Sequence, residues 1–317
     1  MVQSARRFLR GGQQWLRCRR PLRMIHFGNS PGDDLLCTVV AHELKRRDGR
    51  QWAVMSDHPE LFQLNPDVEA VIPVSEALFG AIQAMGGGAL KVGYPVTVQD
   101  YQGAVAPTRH IAAHLCESAG ISGTIDLMPR ITLSAEELGY GRLSAPQIAI
   151  MSAGSSRIPI PNKEWVPGRF QAVVDALRGR YVFVQLGSER DPKLEGAVDL
   201  RGRTTLRQAA AVIANSLTFV GLVGFLMHLA RAVERRSVIV YGGREAPWQS
   251  GYTGNINLTG EVPCAPCWYL SKCVLQHQCM TDISVESVVA GILQAVARRE
   301  ERLPVDRVDL PLAAPVE

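Results

Sequence analysis

"MIHFGNSPGDDLLC", residues 24–37, runs from a short apolar stretch, Met24-Ile25-His26-Phe27, through a Pro-Gly turn into two carboxylates and a second apolar stretch. An apolar run closed by such a turn and followed by a helical pattern is one half of a β–α unit. Asp33 and Asp34 therefore stand where a strand hands over to a helix. Two roles compete for them. Aspartate is favoured at an N-cap and in a first helical turn, where it answers the helix dipole. A carboxylate at the mouth of a cleft can instead accept a proton. The glycine turn also exposes backbone N–H groups that suit an anion. It is not a G-x-G-x-x-G fingerprint, so dinucleotide binding is not supported.

Outward from this stretch the same unit recurs. Strand-like runs lie at 23–27, 52–55 and 70–74, and helical patterns at 33–47, 75–85 and 107–119. "LSAPQIAIM" then restarts the series with a strand at 147–151. A helix at 167–178, strand 181–186, helix 205–215, strand 217–220, helix 224–233, strand 237–241 and helix 284–300 follow. Apolar strands alternating with helices predict parallel sheets covered on both faces. The fold class is thus α/β, with two Rossmann-like domains facing each other across a cleft. The expected division is a basic leader at 1–22, a first domain at 23–143, a second at 144–302 and a loose tail at 303–317. In such folds ligands bind beyond the carboxyl ends of strands, so the chemistry is expected in the loops after strands. No repeat of 20–50 residues is present.

The chain's length, 317 residues, fits two domains. Its composition, 46% hydrophobic and 20% charged, excludes general disorder. The longest apolar stretch, "LTFVGLVGFLMHLA", is too short to span a bilayer and contains His228. No long apolar run follows the basic start, so no signal peptide is expected. The net charge of +4 is concentrated at the start: Arg6, Arg7, Arg10, Arg17, Arg19, Arg20 and Arg23, with no acid among residues 1–23. With Phe8, Leu9, Trp15 and Leu16 interleaved, this segment reads either as a basic amphipathic helix on an anionic membrane or as a disordered leader. No nucleic-acid-binding pattern accompanies the charge.

Three further strand ends and a cysteine-rich loop carry candidate chemistry. "SAGSSRIPIPNKEW" (152–165) offers small residues, Ser155 and Ser156 among them, whose amides can approach phosphate, and Lys163 as a compact charge; its other reading is a surface loop. "VQLGSERD" (184–191) places Glu189 to bond ribose hydroxyls, or leaves it an ordinary exposed acid. "VGLVGFLMHLA" (220–230) puts Gly224 at a strand-to-helix turn, with the amides of Gly224, Phe225 and Leu226 available to a pyrophosphate. His228, in the same stretch, is either a ligand contact or a satisfied core histidine. "CAPCWYLSKCVLQHQC" spaces Cys264, Cys267, Cys273 and Cys279 as C-x2-C-x5-C-x5-C. That spacing suits tetrahedral thiolate ligation of structural zinc or iron; unligated thiols are the alternative. Seven cysteines in such a chain do not suggest a disulfide framework.

In this order the stretches resemble glycosyltransferase family nine, the ADP-heptose heptosyltransferases of bacterial lipopolysaccharide synthesis. The resemblance spans about residues 23–298. It rests on "GDDLL", "NPDVEAVIPV" (65–74), "GSSR…KEW", "LRGRTTLRQAAAVIANS" (200–216), "MHLARAV" (227–233) and "PCAPCW…C…CM…I" (263–283). It implies a GT-B fold and an inverting glycosyltransferase, moving heptose from ADP-heptose to a hydroxyl of a surface glycan such as the lipopolysaccharide core. The location implied is the cytoplasm, peripheral to the inner face of the inner membrane. It assigns Asp33 as general base. Ser155, Ser156 and Lys163 would hold the donor phosphates, Glu189 the ribose, and Gly224, Phe225 and Leu226 the pyrophosphate, with no metal needed at the reacting centre. Asp34 is then the first-turn acid. Where the family shows Asp-Ser-Gly or Asp-Gly-Gly before Met-His, this chain has Val223-Gly224-Phe225. That departure admits a non-catalytic nucleotide-sugar binder. The cysteine cluster, shared with protein heptosyltransferases of autotransporters, admits a protein acceptor.

Overall fold

The computed structural model describes residues 12, 23–28, 30–86, 88–154 and 159–311. The basic leader, apart from Gly12, lies outside them, as do Ser155 and Ser156. Strands in chain order are β1 (Met24–His26), β2 (Trp52–Met55), β3 (Val68–Ile72), β4 (Ala89–Lys91), β5 (Gly123–Asp126), β6 (Gln147–Ile150), β7 (Val182–Gln185), β8 (Val198–Asp199), β9 (Phe219–Leu222), β10 (Ser237–Gly242), β11 (Ile256–Thr259) and β12 (Arg307–Leu310). The longer helices are α1 (Pro31–Asp48), α2 (Glu76–Ala84), α3 (Ile111–Ser118), α4 (Arg169–Leu177), α5 (Leu206–Ala214), α6 (Phe225–Ala232) and α7 (Val285–Ala297).

The chain forms two compact units. One comprises Met1–Tyr94, Ala112–Thr132 and Arg307–Glu317; the other comprises Pro95–Ile111 and Leu133–Asp306. The first holds the sheet β3-β2-β1-β4 and the second β11-β10-β9-β6-β7-β8, with every pairing in both sheets parallel. Numbered within each unit, the orders are 3-2-1-4 and 3-2-1-4-5-6, the doubly wound pattern. The winding reverses between β1 and β4 in the first unit and between β6 and β9 in the second. Those are the positions where a crevice opens at the carboxyl ends of the strands.

The strands are apolar on both faces because helices cover both. β2, β6 and β9 are buried at every residue. In the first unit Met24, Ala53, Met55 and Ile72 pack against Leu78, Phe79 and Ile82 of α2. β3 begins and ends two residues before its sequence estimate, since Pro73 has no N–H to continue a ladder. α1 begins earlier than its apolar pattern suggests. Ser30 is its N-cap and accepts from the Asp33 amide, Pro31 takes the first helical position, and Gly49 closes the helix at φ 72°. The cap is therefore Ser30, and neither aspartate serves in that role.

Two further differences are instructive. Residues 107–110 do not extend α3. His110 Nε2 lies 3.0 Å from the Gly251 carbonyl, and Gln249 donates to the Pro107 carbonyl, so this stretch is held within the second unit instead. The tail is not loose over its described part. Arg307–Leu310 pairs antiparallel with β5, and Thr124 Oγ1 donates to Asp309 at 2.6 Å. Asp306, 7% exposed, accepts from the amide and hydroxyl of Thr253. A four-residue polar–apolar alternation is too short to announce itself without its partner strand.

Candidate active site

At the carboxyl edge of the first unit, α1 starts immediately after β1. Asp33 lies in its first turn and accepts a hydrogen bond from the Ser30 hydroxyl at 2.8 Å. Its carboxylate sits against Gly28, which adopts φ 45°; a Cβ there would lie 2.5 Å from Asp33 Oδ2. Only glycine fits that approach. Asp34 is in the same turn but serves more than the dipole. Its side chain is 1% exposed, and Oδ2 accepts from Ser56 Oγ at 2.6 Å and His58 Nδ1 at 2.7 Å, both in the loop after β2. Burial raises the Asp34 carboxyl above its ordinary value, against the two hydrogen bonds. His26, the last residue of β1, places Nε2 3.1 Å from Glu76 Oε1, and Lys91 at the end of β4 reaches the same carboxylate. Strand ends thus collect a titratable cluster of which the sequence reading named only the α1 acids.

At the carboxyl edge of the second unit, β9 enters α6 through Val223 and Gly224. Gly224 is the N-cap at φ 153°, where no atom lies within 4 Å of a would-be Cβ. No side chain caps this helix. The first-turn amides, those of Phe225 and Leu226 included, have no carbonyl of their own helix to bond. No acid stands in that turn. The stretch lies beside the reversal between β6 and β9, so the amides expected to bind pyrophosphate are where the winding rule puts a ligand.

Lys163, in the loop after β6, is 20% exposed and pairs with Glu245 Oε1 at 2.5 Å. Arg244 reaches the same oxygen at 2.6 Å. Burial would raise the Glu245 carboxyl, but the two cations hold it below the usual range. His228 points into the protein, 4% exposed, with Nδ1 2.7 Å from Tyr252 Oη. Burial, then the charge of His110, pushes it down to about 3. Lys163, Glu245 and His228 interact electrostatically and form one group. Glu189 is exposed after β7 and does not join it; its backbone packs under Gly202. Glu245 and Arg244 were missed, although they follow the strand "SVIVY" and a Gly-Gly turn, the same kind of strand end that drew attention elsewhere.

The cysteine loop clasps the Lys163 loop. Buried Asn162 donates to the carbonyls of Tyr269 and Lys272 at 3.2 and 3.0 Å, and its Oδ1 lies 2.9 Å from His277 Nε2. Asp100 accepts from the amides of Leu270, Ser271 and Lys272 at 2.6–2.8 Å. Arg244 bonds the Tyr269 carbonyl and stacks on Trp268 at 4.8 Å. Cys264 is exposed, Cys267, Cys273 and Cys279 are half-buried, and all four are free thiols. Among the described residues, no three His, Cys, Asp or Glu side chains are arranged to hold a metal ion. Cys279 interacts electrostatically with Cys264, Cys267 and Cys273, so the four thiols are neighbours, and polar contacts give the loop its shape.

Comparison with known proteins places these edges. The model of glycosyltransferase family 9 (heptosyltransferase) matches residues 79–274, more than half of the chain. No curated protein matches. Among solved structures, the family 9 glycosyl transferase of Veillonella parvula is 17% identical, with 87% of this chain and 97% of that chain covered, at a TM-score of 0.65. ADP-heptose LPS heptosyltransferase II of E. coli is 18% identical, covering 88% and 100%, also at 0.65. The iron-containing dodecameric glycosyltransferase TibC of enterotoxigenic E. coli is 17% identical, covering 88% and 78%, again at 0.65. These likenesses fix the fold as GT-B. Among the described residues, no helix is long and apolar enough to cross a membrane. With its doubly wound units and the family match across Lys163, Gly224 and most of the cysteine loop, the chain belongs to glycosyltransferase family 9, and is a glycosyltransferase.

Proposed function

We propose that this enzyme transfers a heptose from ADP-heptose to a hydroxyl of a bacterial surface glycan, with inversion at the anomeric carbon, at the cytoplasmic face of the membrane. The observation that carries this reading is the uncapped, acid-free start of α6 at Gly224, on the same strand edge as Lys163. Backbone amides, a positive dipole end and a lysine are what a departing diphosphate needs. Lys163 turns from Glu245 toward the phosphates, which Ser155 and Ser156 also hold, and the amides of Gly224, Phe225 and Leu226 bind the pyrophosphate. Glu189 takes the ribose. Val223 and Phe225 alter side chains but leave these amides in place. Asp33 draws the proton from the acceptor hydroxyl as its oxygen attacks the anomeric carbon. His228, bonded to Tyr252, supports the α6 start from beneath. The solved ADP-D-β-D-heptose complex of TibC is consistent with this donor.

Calorimetry with ADP, UDP, GDP and CMP tests the reading. ADP binds selectively, and Lys163→Ala weakens it by about 10- to 100-fold, the value of a charge-assisted hydrogen bond. Preference for UDP or GDP overturns the ADP-heptose assignment. Unchanged affinity in Lys163→Ala removes Lys163 from the site. A protein acceptor is the second reading, favoured by the separate clasp that the cysteine loop forms on the Lys163 loop. Glycopeptide mass spectrometry after co-expression with candidate proteins decides it.

A further inference from the structure

His58 stands at the first unit's strand edge, directly before the short helical turn Pro59–Phe62. Its Nδ1 lies 2.7 Å from Asp34 Oδ2, and its own amide donates to Ser56 Oγ at 2.8 Å. Ser56 Oγ–H donates to the same Asp34 oxygen. An ionised carboxylate only accepts, so the imidazole hydrogen resides on Nδ1 and Nε2 carries the lone pair. Nε2 has no partner among the described residues, and the side chain is 22% exposed. Asp34, by contrast, is 1% exposed, and its Oδ1 is buried without a partner among the described residues. A buried acid that is not fully hydrogen-bonded is a poor device for stability. A buried acid that fixes one imidazole nitrogen while the other faces outward is the arrangement that makes a base.

We propose that His58, oriented by Asp34, is a second catalytic base of the acceptor side, on whose Nε2 the hydroxyl proton comes to rest. The inference rests on the transferase reading and adds a residue to it. The acceptor oxygen forms its bond to the anomeric carbon while the bond from that carbon to the diphosphate breaks. The diphosphate leaves with the electron pair. The hydroxyl proton, drawn off by Asp33, ends on His58, and Asp34 stabilises the imidazolium. Of the charged and titratable groups near His58, Asp34 on α1 bonds its Nδ1, His26 at the end of β1 acts on the same carboxylate, and Glu60 stands in the turn that follows.

The test uses the full chain and ADP-heptose, with water as acceptor, measuring ADP release from pH 5 to 9. His58→Asn is the informative variant, because its amide N–H replaces Nδ1–H on Asp34 but offers no base. Turnover should fall by about 100-fold, a typical general-base contribution, and the acid limb of the rate profile should move or vanish. Affinity for ADP and the melting temperature should stay unchanged. Asp34→Asn should show the same change of limb with a smaller loss. Turnover of His58→Asn within threefold of the unmodified chain, with the limb unmoved, overturns the proposal and leaves His58 a structural tie. Imidazole 15N NMR gives a readout independent of turnover: the Nδ1–H tautomer at neutral pH supports the assignment, and the Nε2–H tautomer overturns it. An unmodified chain that neither binds ADP nor releases it from ADP-heptose overturns the transferase reading, and this role with it.

Discussion

The two units are wound alike and finished differently. Both sheets follow the order 3-2-1-4, and both place a helix start after the strand beside the reversal. At α1 that start is closed: Ser30 caps it and Asp33 and Asp34 bring negative charge. At α6 it is open: glycine caps it without a side chain and no acid stands in the first turn. One edge repels anions and gathers carboxylates with imidazoles. The other attracts anions and holds a lysine. The same topology thus supplies two chemically different edges, and a few residues in the loops after strands make the difference. Under the proposed function, this division of labour is what a transfer from a diphosphate to a hydroxyl requires.

The greatest loss of transfer should come from replacing Asp33. Asp33→Ala should lower transfer by about a thousandfold, roughly 4 kcal/mol in activation free energy, while ADP affinity stays within twofold. Equal losses of transfer and ADP binding would mean that the two edges are not chemically separate. Glu245→Gln comes next. It leaves Arg244 and Lys163 without their shared carboxylate, and urea unfolding should show a loss of about 3 kcal/mol; an unchanged midpoint would mean that the ion pairs contribute nothing net. Gly224→Ala forces a Cβ into a backbone conformation that L-residues avoid, with open space around it. It should cost about 1–2 kcal/mol in stability and weaken ADP more than a neutral surface change does.

The smallest effect concerns acid. Arg207, then the Ser134 amide, holds the Glu137 carboxyl down at about 2 from an ordinary 4.5. A carboxylate whose folded value is depressed stabilises above its unfolded value, and that stability is lost as pH falls from 4.5 toward 2. Because Glu137 is 31% exposed, the contribution is about 1 kcal/mol after solvent screening. Glu137→Gln should remove that part of the acid transition in a pH-dependent melting series and leave neutral-pH ADP binding unchanged.

The alternation of runs such as "AVIPV", "YVFVQL" and "SVIVY" made the sheets legible, because a strand buried on both faces must be apolar throughout. The winding rule then pointed to the loops after strands, and the structure places Asp33, Lys163 and Gly224 in or beside such loops. What remained hidden depends on distant pairing. β5 and β12 are four residues each and become strands only beside one another. Asp34 looked like a dipole acid until Ser56 and His58 closed on it. Lys163 looked free for phosphate, yet its partner Glu245 comes from the loop after β10. The cysteine spacing suggested a metal, and the four thiols do stand close enough to feel one another's charge. Asn162, a residue with no evident signal, proves to be the hub that holds that loop.

The pairing of β12 with β5 also bears on how the protein is made. Residues 307–310 complete a sheet in the unit that the ribosome begins, yet they emerge after the whole of the other unit has been synthesised. Vectorial folding normally finishes the first-made unit first. Here that order is inverted. The first unit waits for its final strand while the second already has all its segments, so the second can close its core before the first is complete.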